Sequence, residues 1–319
     1  MNNERIRSTV LNYPLIFISI MLFLVFAVLN DNYLTRANML MILRQASLLA
    51  LLGMGQTIIL LSGNIDLSIG SMIALSTVIY APLLKSEVSF VYPVLLILST
   101  GMALGLMTGL IITKLKIHPF IATFATNYIY RGTAWLLMGN MIIYDFPGDF
   151  RFIGKGRILG IPVTIVFMVA ICAILYILLT KTTWGRRIYF VGSNIKAARY
   201  SGVKVNHTII SAYIVGSLIC AFAGVVYLAR LNAAEPGIGS DYALNSIAVS
   251  LIGGTSIRGG KGRIVGTIIG AVIISTIKNG MNFLQVSSDL QYLYLGLIIV
   301  LAVYMNQFVE RSRENSQKY

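Results

Sequence analysis

Windows of about 20 residues with almost no charge recur along this 319-residue chain. Each is long enough to cross a hydrocarbon layer of about 30 Å as a helix, which satisfies its own backbone hydrogen bonds there. A large soluble core is excluded, because only 11% of the residues are charged against about 25% in soluble domains. Mean hydropathy is +0.80. The apolar segments lie near 13–29, 43–61, 67–84, 93–113, 120–138, 162–180, 209–230, 242–257, 264–284 and 290–308. The expected fold is an all-α polytopic membrane protein of about ten transmembrane helices, one transmembrane domain spanning 1–319. Segments 67–84 and 242–257 are the least regular. The second is short, rich in small residues and flanked by glycines, so one segment is expected to be re-entrant or broken. Arg5 and Arg7 precede the first apolar segment, as in a secretory signal, but no small-x-small cleavage site follows. An uncleaved first span is the better reading.

The formal net charge of +14 is compatible with nucleic acid on its face. The placement of the charge points to a membrane instead. With the N-terminus in the cytoplasm and alternating spans, the inner segments hold Arg5, Arg7, Lys114, Lys116, Lys181, Arg186, Arg187, Lys196, Arg199, Lys204, Arg258, Lys261, Arg263, Arg311, Arg313 and Lys318. They hold only Glu4, Glu310 and Glu314 of the 11 acidic residues. That bias obeys the positive-inside rule and places both termini in the cytoplasm. The turn at Asn64 is the one inner turn with no basic residue. Outer loops are short except 139–161, and no long hydrophilic stretch interrupts the chain, so any ATPase or substrate-capturing domain would have to be a separate chain. Cys172 and Cys220 both lie in apolar segments, which argues against a disulfide framework or a metal site.

The longest polar interruption of the second half is 181–208, KTTWGRRIYFVGSNIKAARYSGVKVNHT. It carries Lys181, Arg186, Arg187, Lys196, Arg199 and Lys204 and no acid. Residues 192–202 read as a short helix that Ser193 or Asn194 can cap and Gly202 can end. A basic loop with an ordered helix inside is suited to docking; a solvated loop beside anionic lipid is the alternative. Residues 181–187 read as the topological charge cluster, and 192–205 as the contact surface if the loop docks.

The segment 253–262, GGTSIRGGKG, mimics a phosphate loop but fails its pattern: Thr255 occupies the first glycine position, and Gly262 follows Lys261 where Ser or Thr is needed. Its glycines instead suit a sharp turn. Gly262, Gly266 and Gly270 share one helix face, for helix packing or for a substrate. In GNIDLSIGS (63–71), Asp66 is either a functional carboxylate at membrane depth or the cap of the next helix with Ser68. Gln56 and Asn64 could face a polar passage or bridge helices. With Asn127, Gly253, Gly254 and Ser256, these four polar residues are the candidates to line or close such a passage. Arg131 and Lys278 lie inside spans, to line a hydrated cavity, snorkel or pair between helices. Tyr128, Tyr130 and Trp135 read as interface anchors. His118 and His207 sit at membrane–loop boundaries without partners at ligand spacing. A weak echo relates 61–71 to 252–262. No nucleophile–His–acid arrangement, metal-spaced set or carboxylate pair points to an enzyme.

Three motifs carry a resemblance: GNIDLSIGS (63–71), VGSNIKAARYSGVKV (191–205) and AVSLIGGTSIRGGKGRIVGTIIGA (248–271), supported by HPFIATFAT (118–126). With them the chain resembles the permease subunits of bacterial sugar-type ABC importers, the ribose-permease group, which are related to branched-chain amino acid permeases. Asn64 departs from that group, whose members usually have a second glycine there. The resemblance implies about ten spans in the bacterial cytoplasmic membrane and a second permease subunit, identical or paralogous. It also implies a cytoplasmic ABC ATPase and an extracytoplasmic sugar-binding protein. The chain itself would bind no cofactor, ATP and Mg being used by the ATPase, and would not be an enzyme. It further implies that 191–205 is the coupling helix, with Gly192, Asn194, Ala197, Ala198, Arg199, Ser201 and Gly202 in a groove of the ATPase. The expected function is import of a ribose-like pentose or related sugar by alternating access. Branched-chain amino acids, nucleosides and a signalling furanose are the alternative solutes; an ion-coupled transporter and a membrane scaffold are the other classes.

Overall fold

The computed structural model describes residues 14–30, 32–298, 300 and 304. Its helices are α1 (Pro14–Leu29), α2 (Arg36–Leu61), α3 (Ile69–Leu84), α4 (Val91–Lys114), α5 (Pro119–Met138), α6 (Gly148–Lys155), α7 (Val163–Lys181), α8 (Thr183–Ser193), α9 (Ile195–Tyr200), α10 (Val205–Leu231), α11 (Tyr242–Ile252) and α12 (Ile264–Phe283). A further helix begins at residue 288. Two antiparallel pairs complete the fold: β1 (Ile143–Tyr144) with β4 (Ala233–Ala234), and β2 (Arg157–Ile158) with β3 (Ile161–Pro162). A helix lies in each of the ten apolar segments. Five of them, α2, α4, α7, α10 and α12, are long and apolar enough to cross a membrane, and the protein is a multi-pass, helical membrane protein. The terminal residues Arg5, Arg7, Arg311, Arg313 and Lys318, on which the cytoplasmic placement of the termini draws, lie outside the described residues.

Local chemistry sets the helix ends. The Thr35 hydroxyl accepts from Asn38 N and caps α2. Pro119 occupies the first turn of α5, where its missing N–H costs nothing. The helix α11 stops at Ile252, five residues short of the expected 257. Gly254 takes a left-handed φ of +85°, and Thr255 N bonds back to Ser250 O at 3.0 Å.

Helix α10 is the centre of the molecule and packs against α2, α3, α4 and α6. Lipid is as apolar as leucine, so close van der Waals contact between small residues must hold such helices together. The α4–α10 seam shows this: Gly101, Gly105 and Gly109 face Ala221, Ser217 and Ile210, and a Cβ on Gly105 would stand 2.7 Å from Tyr213 O. Gly55 of α2 and Gly216 of α10 meet in the same way, each Cβ position falling 2.6–2.8 Å from the other's carbonyl. Gly266 and Gly270 press on Gly253 and Val249, so packing is their role. Buried polar bonds add to the seams. Thr57 joins Ser250 at 3.0 Å and Thr267 at 2.7 Å, linking α2, α11 and α12. Asn38 and Asn279 exchange amide hydrogen bonds of 2.9 and 3.1 Å.

Helices α3 and α11 are about 24 and 16 Å long, less than the hydrocarbon thickness. Non-helical chain completes their path at 62–68 and 232–241, and the second stretch meets the first turn of α3, where Gly70 touches the Gly239 carbonyl. Backbone carbonyls at such depth need donors. Arg131 supplies them, donating from Nη1 to Pro236 O and, at 2.7 Å, to Ile238 O. Lys278 lies within electrostatic reach of Asp241. Tyr130 departs from the interface-anchor reading: it is buried, and its hydroxyl bonds Leu104 O and Thr108 Oγ1, because α5 turns that face toward α4. Tyr128 and Trp135 are exposed.

Replacing Gly105 by Leu should cost about 1–3 kcal/mol through overpacking, read as a lowered melting midpoint of the purified protein. Gly132→Ala, with nothing within 4 Å of the new methyl, should leave the midpoint unchanged.

Candidate functional site

The loop 181–208 folds into two helices. Thr182 caps α8, its hydroxyl accepting from Gly185 N at 3.2 Å. Helix α8 is amphipathic: Ile188 and Val191 are buried while Arg186 and Arg187 are exposed. Trp184 Nε1 donates to Ser211 Oγ at 2.8 Å, tying α8 to α10, and Tyr189 donates to Gly262 O at 2.9 Å. Burial pushes the Tyr189 phenol above its ordinary pKa, opposed in part by nearby Arg263, so the donated proton stays in place at neutral pH.

Of the two candidate caps, Asn194 is the one used: its Oδ1 accepts from Ala197 N at 2.9 Å, while Ser193 ends α8. The six-residue α9 closes at Gly202, whose φ is +79°, with Val203 N bonding Ala198 O. The predicted docking residues divide into two sets. Ala198 is fully buried among Ile59, Ile112, Ala122, Val191, Val205, Ile209 and Tyr213, contributed by α2, α4, α5, α8 and α10. Gly192 also faces inward. Asn194, Arg199, Ser201 and Gly202 face out, with Ala197 between the two. Ile195 and Tyr200, which sequence reasoning passed over, share the outward face, and Tyr200 is 90% exposed. An aromatic residue left bare on a short polar helix is the signal that marks it.

The three sequence motifs converge at one point. Gly260 N donates to Leu61 O at 3.0 Å. Gly192 lies against both residues, and a Cβ there would stand 2.6 Å from Gly260 N. Gly63 and Gly259 are in contact, a Cβ on Gly259 falling 2.6 Å from Gly63 Cα. Gly63, Gly259 and Gly260 all have positive φ. The ends of α2 and α8 and the turn after α11 therefore touch backbone to backbone, at a spacing that side chains would prevent. The segments of the 61–71 and 252–262 echo meet each other here.

The predicted path residues are placed as follows. Gln56, Asn64, Asp66 and Ser68 are buried in and beside the break 62–68. Asp66 Oδ1 accepts from Ser68 N and Oγ at 2.7 and 2.6 Å, one residue ahead of α3, so the carboxylate shapes the turn that starts the helix. The Gln56 carboxamide lies 3.2 Å from both Asp66 N and Asp66 O, an orientation that pairs with the backbone as a strand would. Asn64 Nδ2 donates to Ser62 O and Oγ, and Tyr213 donates to Ile65 O at 2.8 Å. Ser256 orders the turn after α11, its N–H donating to Lys261 O and its Oγ accepting from Arg258 N. Gly253 packs on Gly266, and Gly254 faces open space. Asn127 is not part of this cluster; it is half-buried on α5. Gly259, Gly260 and Gly262 pack on Gly63, Ser193 and Thr255 respectively. Among the described residues, no group of three or more His, Cys, Asp or Glu could hold a metal ion.

Comparison with known proteins matches residues 38–303 to the family described as branched-chain amino acid transport system / permease component. The ribose import permease protein RbsC of Bacillus subtilis (strain 168) is 41% identical over 90% of this chain and 89% of its own length. The D-allose transport system permease protein AlsC of Escherichia coli (strain K12) is 37% identical, covering 94% and 92%. The L-arabinose transport system permease protein AraH of the same strain is 32% identical over the same shares. No solved structure matches the chain.

Gly192→Val should drive α8 off Leu61 and Gly260 and cost about 1–3 kcal/mol, seen as a lower melting midpoint. Gly202→Asn, at an open left-handed position that Asn tolerates, should be close to neutral in the same assay.

Proposed function

Because the chain belongs to the family of branched-chain amino acid transport system permease components, we propose that it is the membrane-spanning permease subunit of an ATP-driven importer of a monosaccharide, a ribose-like pentose or a related sugar, in the bacterial cytoplasmic membrane. The observation that carries the mechanism is the backbone contact of Gly192 with Leu61 and Gly260. It joins the loop bearing α9 to both broken spans. In this reading the α8–α9 face is cytoplasmic, about ten spans cross the bilayer and both termini are inside. A separate ABC ATPase receives α9 in a groove. Asn194, Ala197, Arg199, Tyr200, Ser201 and Gly202 make that contact, and Ala198 and Gly192 pass the displacement inward. Nucleotide binding moves α9, the contact shifts the breaks at 62–68 and 253–263, and the short helices α3 and α11 tilt to open the path to one side.

The path runs between this subunit and a second copy or paralogue. Helix α5 supports that placement, because little of its surface is covered within the chain. Its outward side carries Phe120, Phe124 and Tyr128, with Asn127 beside them, where α4 and α7 present mostly aliphatic side chains. Aromatic faces and one amide suit weak, transient contact with a sugar. Selectivity then rests with an extracytoplasmic binding protein. ATP and Mg act on the ATPase, and this chain carries no reaction of its own.

The test is reconstitution with the cognate ATPase and binding protein. Uptake of ribose, allose and arabinose should depend on ATP and on both partners; uptake without the ATPase would instead indicate ion-coupled transport. Arg199→Glu should weaken ATPase association by about 10–100-fold, the equivalent of one charge-assisted contact, with membrane insertion intact. Normal co-purification and uptake would exclude the docking assignment. Asn127→Ala with Tyr128→Ala should lower uptake several-fold while ATPase association is unchanged.

A further inference from the structure

Residues 157–162 form a hairpin at the end of α7 remote from α8 and α9. The chain enters α7 at Val163 and leaves it about 28 Å later at Lys181. Arg157 pairs with Pro162 and Ile158 with Ile161. The two turn residues, Leu159 and Gly160, have φ of +51° and +81°. A two-residue turn of this kind favours Asn-Gly or Gly-Gly, and a bulky side chain at positive φ is an outlier. Leu159 nonetheless occupies the first position, 97% exposed, with Ile158 and Ile161 exposed on either side. The turn gains nothing from that side chain, and among the described residues nothing packs on it.

The surroundings indicate what covers it. Lys155 and Arg157 are exposed, and Arg36 Nη2 lies 3.9 Å from where a Gly160 Cβ would stand. None of the three has an ion pair among the described residues. Asp149, the carboxylate of α6, lies in its first turn, at the end away from the hairpin. Directly below, α7 turns Val166, Val169, Ile174 and Ile177 outward as a lipid-facing side. Apolar side chains continuous with a lipid-facing helix and ringed by cations match the boundary between acyl chains and phosphates.

We propose that the 157–162 hairpin is a membrane-interface anchor, with Ile158, Leu159 and Ile161 immersed at the acyl boundary and Arg36, Lys155 and Arg157 on lipid phosphates. The anchor fixes the depth of the far end of α7. If the docking reading above holds, α7 then pivots about that end when α8 and α9 move; the anchor itself does not depend on that reading.

The test uses the full chain with L159C carrying an environment-sensitive dye, in phosphatidylethanolamine–phosphatidylglycerol vesicles with no partner protein. The parent chain labelled in parallel gives the background from Cys172 and Cys220. A quencher carried near the lipid headgroup should reduce the dye signal at least twofold more than aqueous iodide does. Dominant iodide quenching would overturn the anchor, and so would shielding that appears only when a binding protein is added. A second variant guards against misfolding. Leu159→Asn suits the turn better, and it should keep the detergent melting midpoint while losing the stabilisation the parent gains from added lipid. An equal gain in both would also overturn the proposal.

Discussion

Backbone rests directly on backbone where Gly192 meets Leu61 and Gly260, and the α8–α9 face of the molecule is arranged around that contact. Three chain breaks, from parts of the sequence up to about 200 residues apart, share one small volume there. Glycine is required twice over, for the positive φ of Gly63, Gly259 and Gly260 and for the close approach of Gly192. A contact of this kind has few soft side chains to absorb strain, so displacement at one partner reaches the others with little loss. Buried Ala198 serves the same end on α9, seating that helix among the ends of five others.

The rest of the bundle follows from a bilayer's lack of hydrophobic drive between helices. Small residues therefore mark the seams: the α4 glycines against α10, Gly55 against Gly216, and Gly266 against Gly253. Polar bonds occur where helices must also be held in register, as between Asn38 and Asn279. Irregular chain lies at 62–68 and 232–241, and there Gln56, Asp66, Tyr213 and Arg131 satisfy its backbone groups.

Much of this was legible in the residues. Charge-free windows located the helices, and cap chemistry located α9, although it is Ile195–Tyr200 rather than 192–202 because 192 and 193 belong to α8. The choice between Ser193 and Asn194 was open because both are good caps; the packing of Val191 and Gly192 on the bundle decides it by extending α8 to Ser193. Helix α8 was hidden behind its cations, although Trp184, Ile188 and Val191 are spaced as one helix face. The glycines at 101, 105 and 109 are plain in the sequence and were overlooked. The meeting of the three motifs could not be read, because local pattern carries no information about which distant turns touch. For the same reason Tyr130, read as an interface anchor, proves to be an interhelical tie.

The hydroxyl cluster of Thr57, Ser250 and Thr267 has a further consequence. A hydroxyl donates and accepts and rotates freely, so the three can exchange partners without leaving a polar atom bare. Between Thr57 and Thr267 either oxygen can be the donor, and Ser250 also reaches the Gly53 and Ser246 carbonyls. A seam built this way has several hydrogen-bonding patterns of similar energy. Helix α11 is thus held on a seam whose hydroxyls can redirect their protons and still keep a partner. Glycine contact beyond one end and an interchangeable hydroxyl seam in the middle hold the same short helix in two different ways, one set by shape and one by exchangeable bonds.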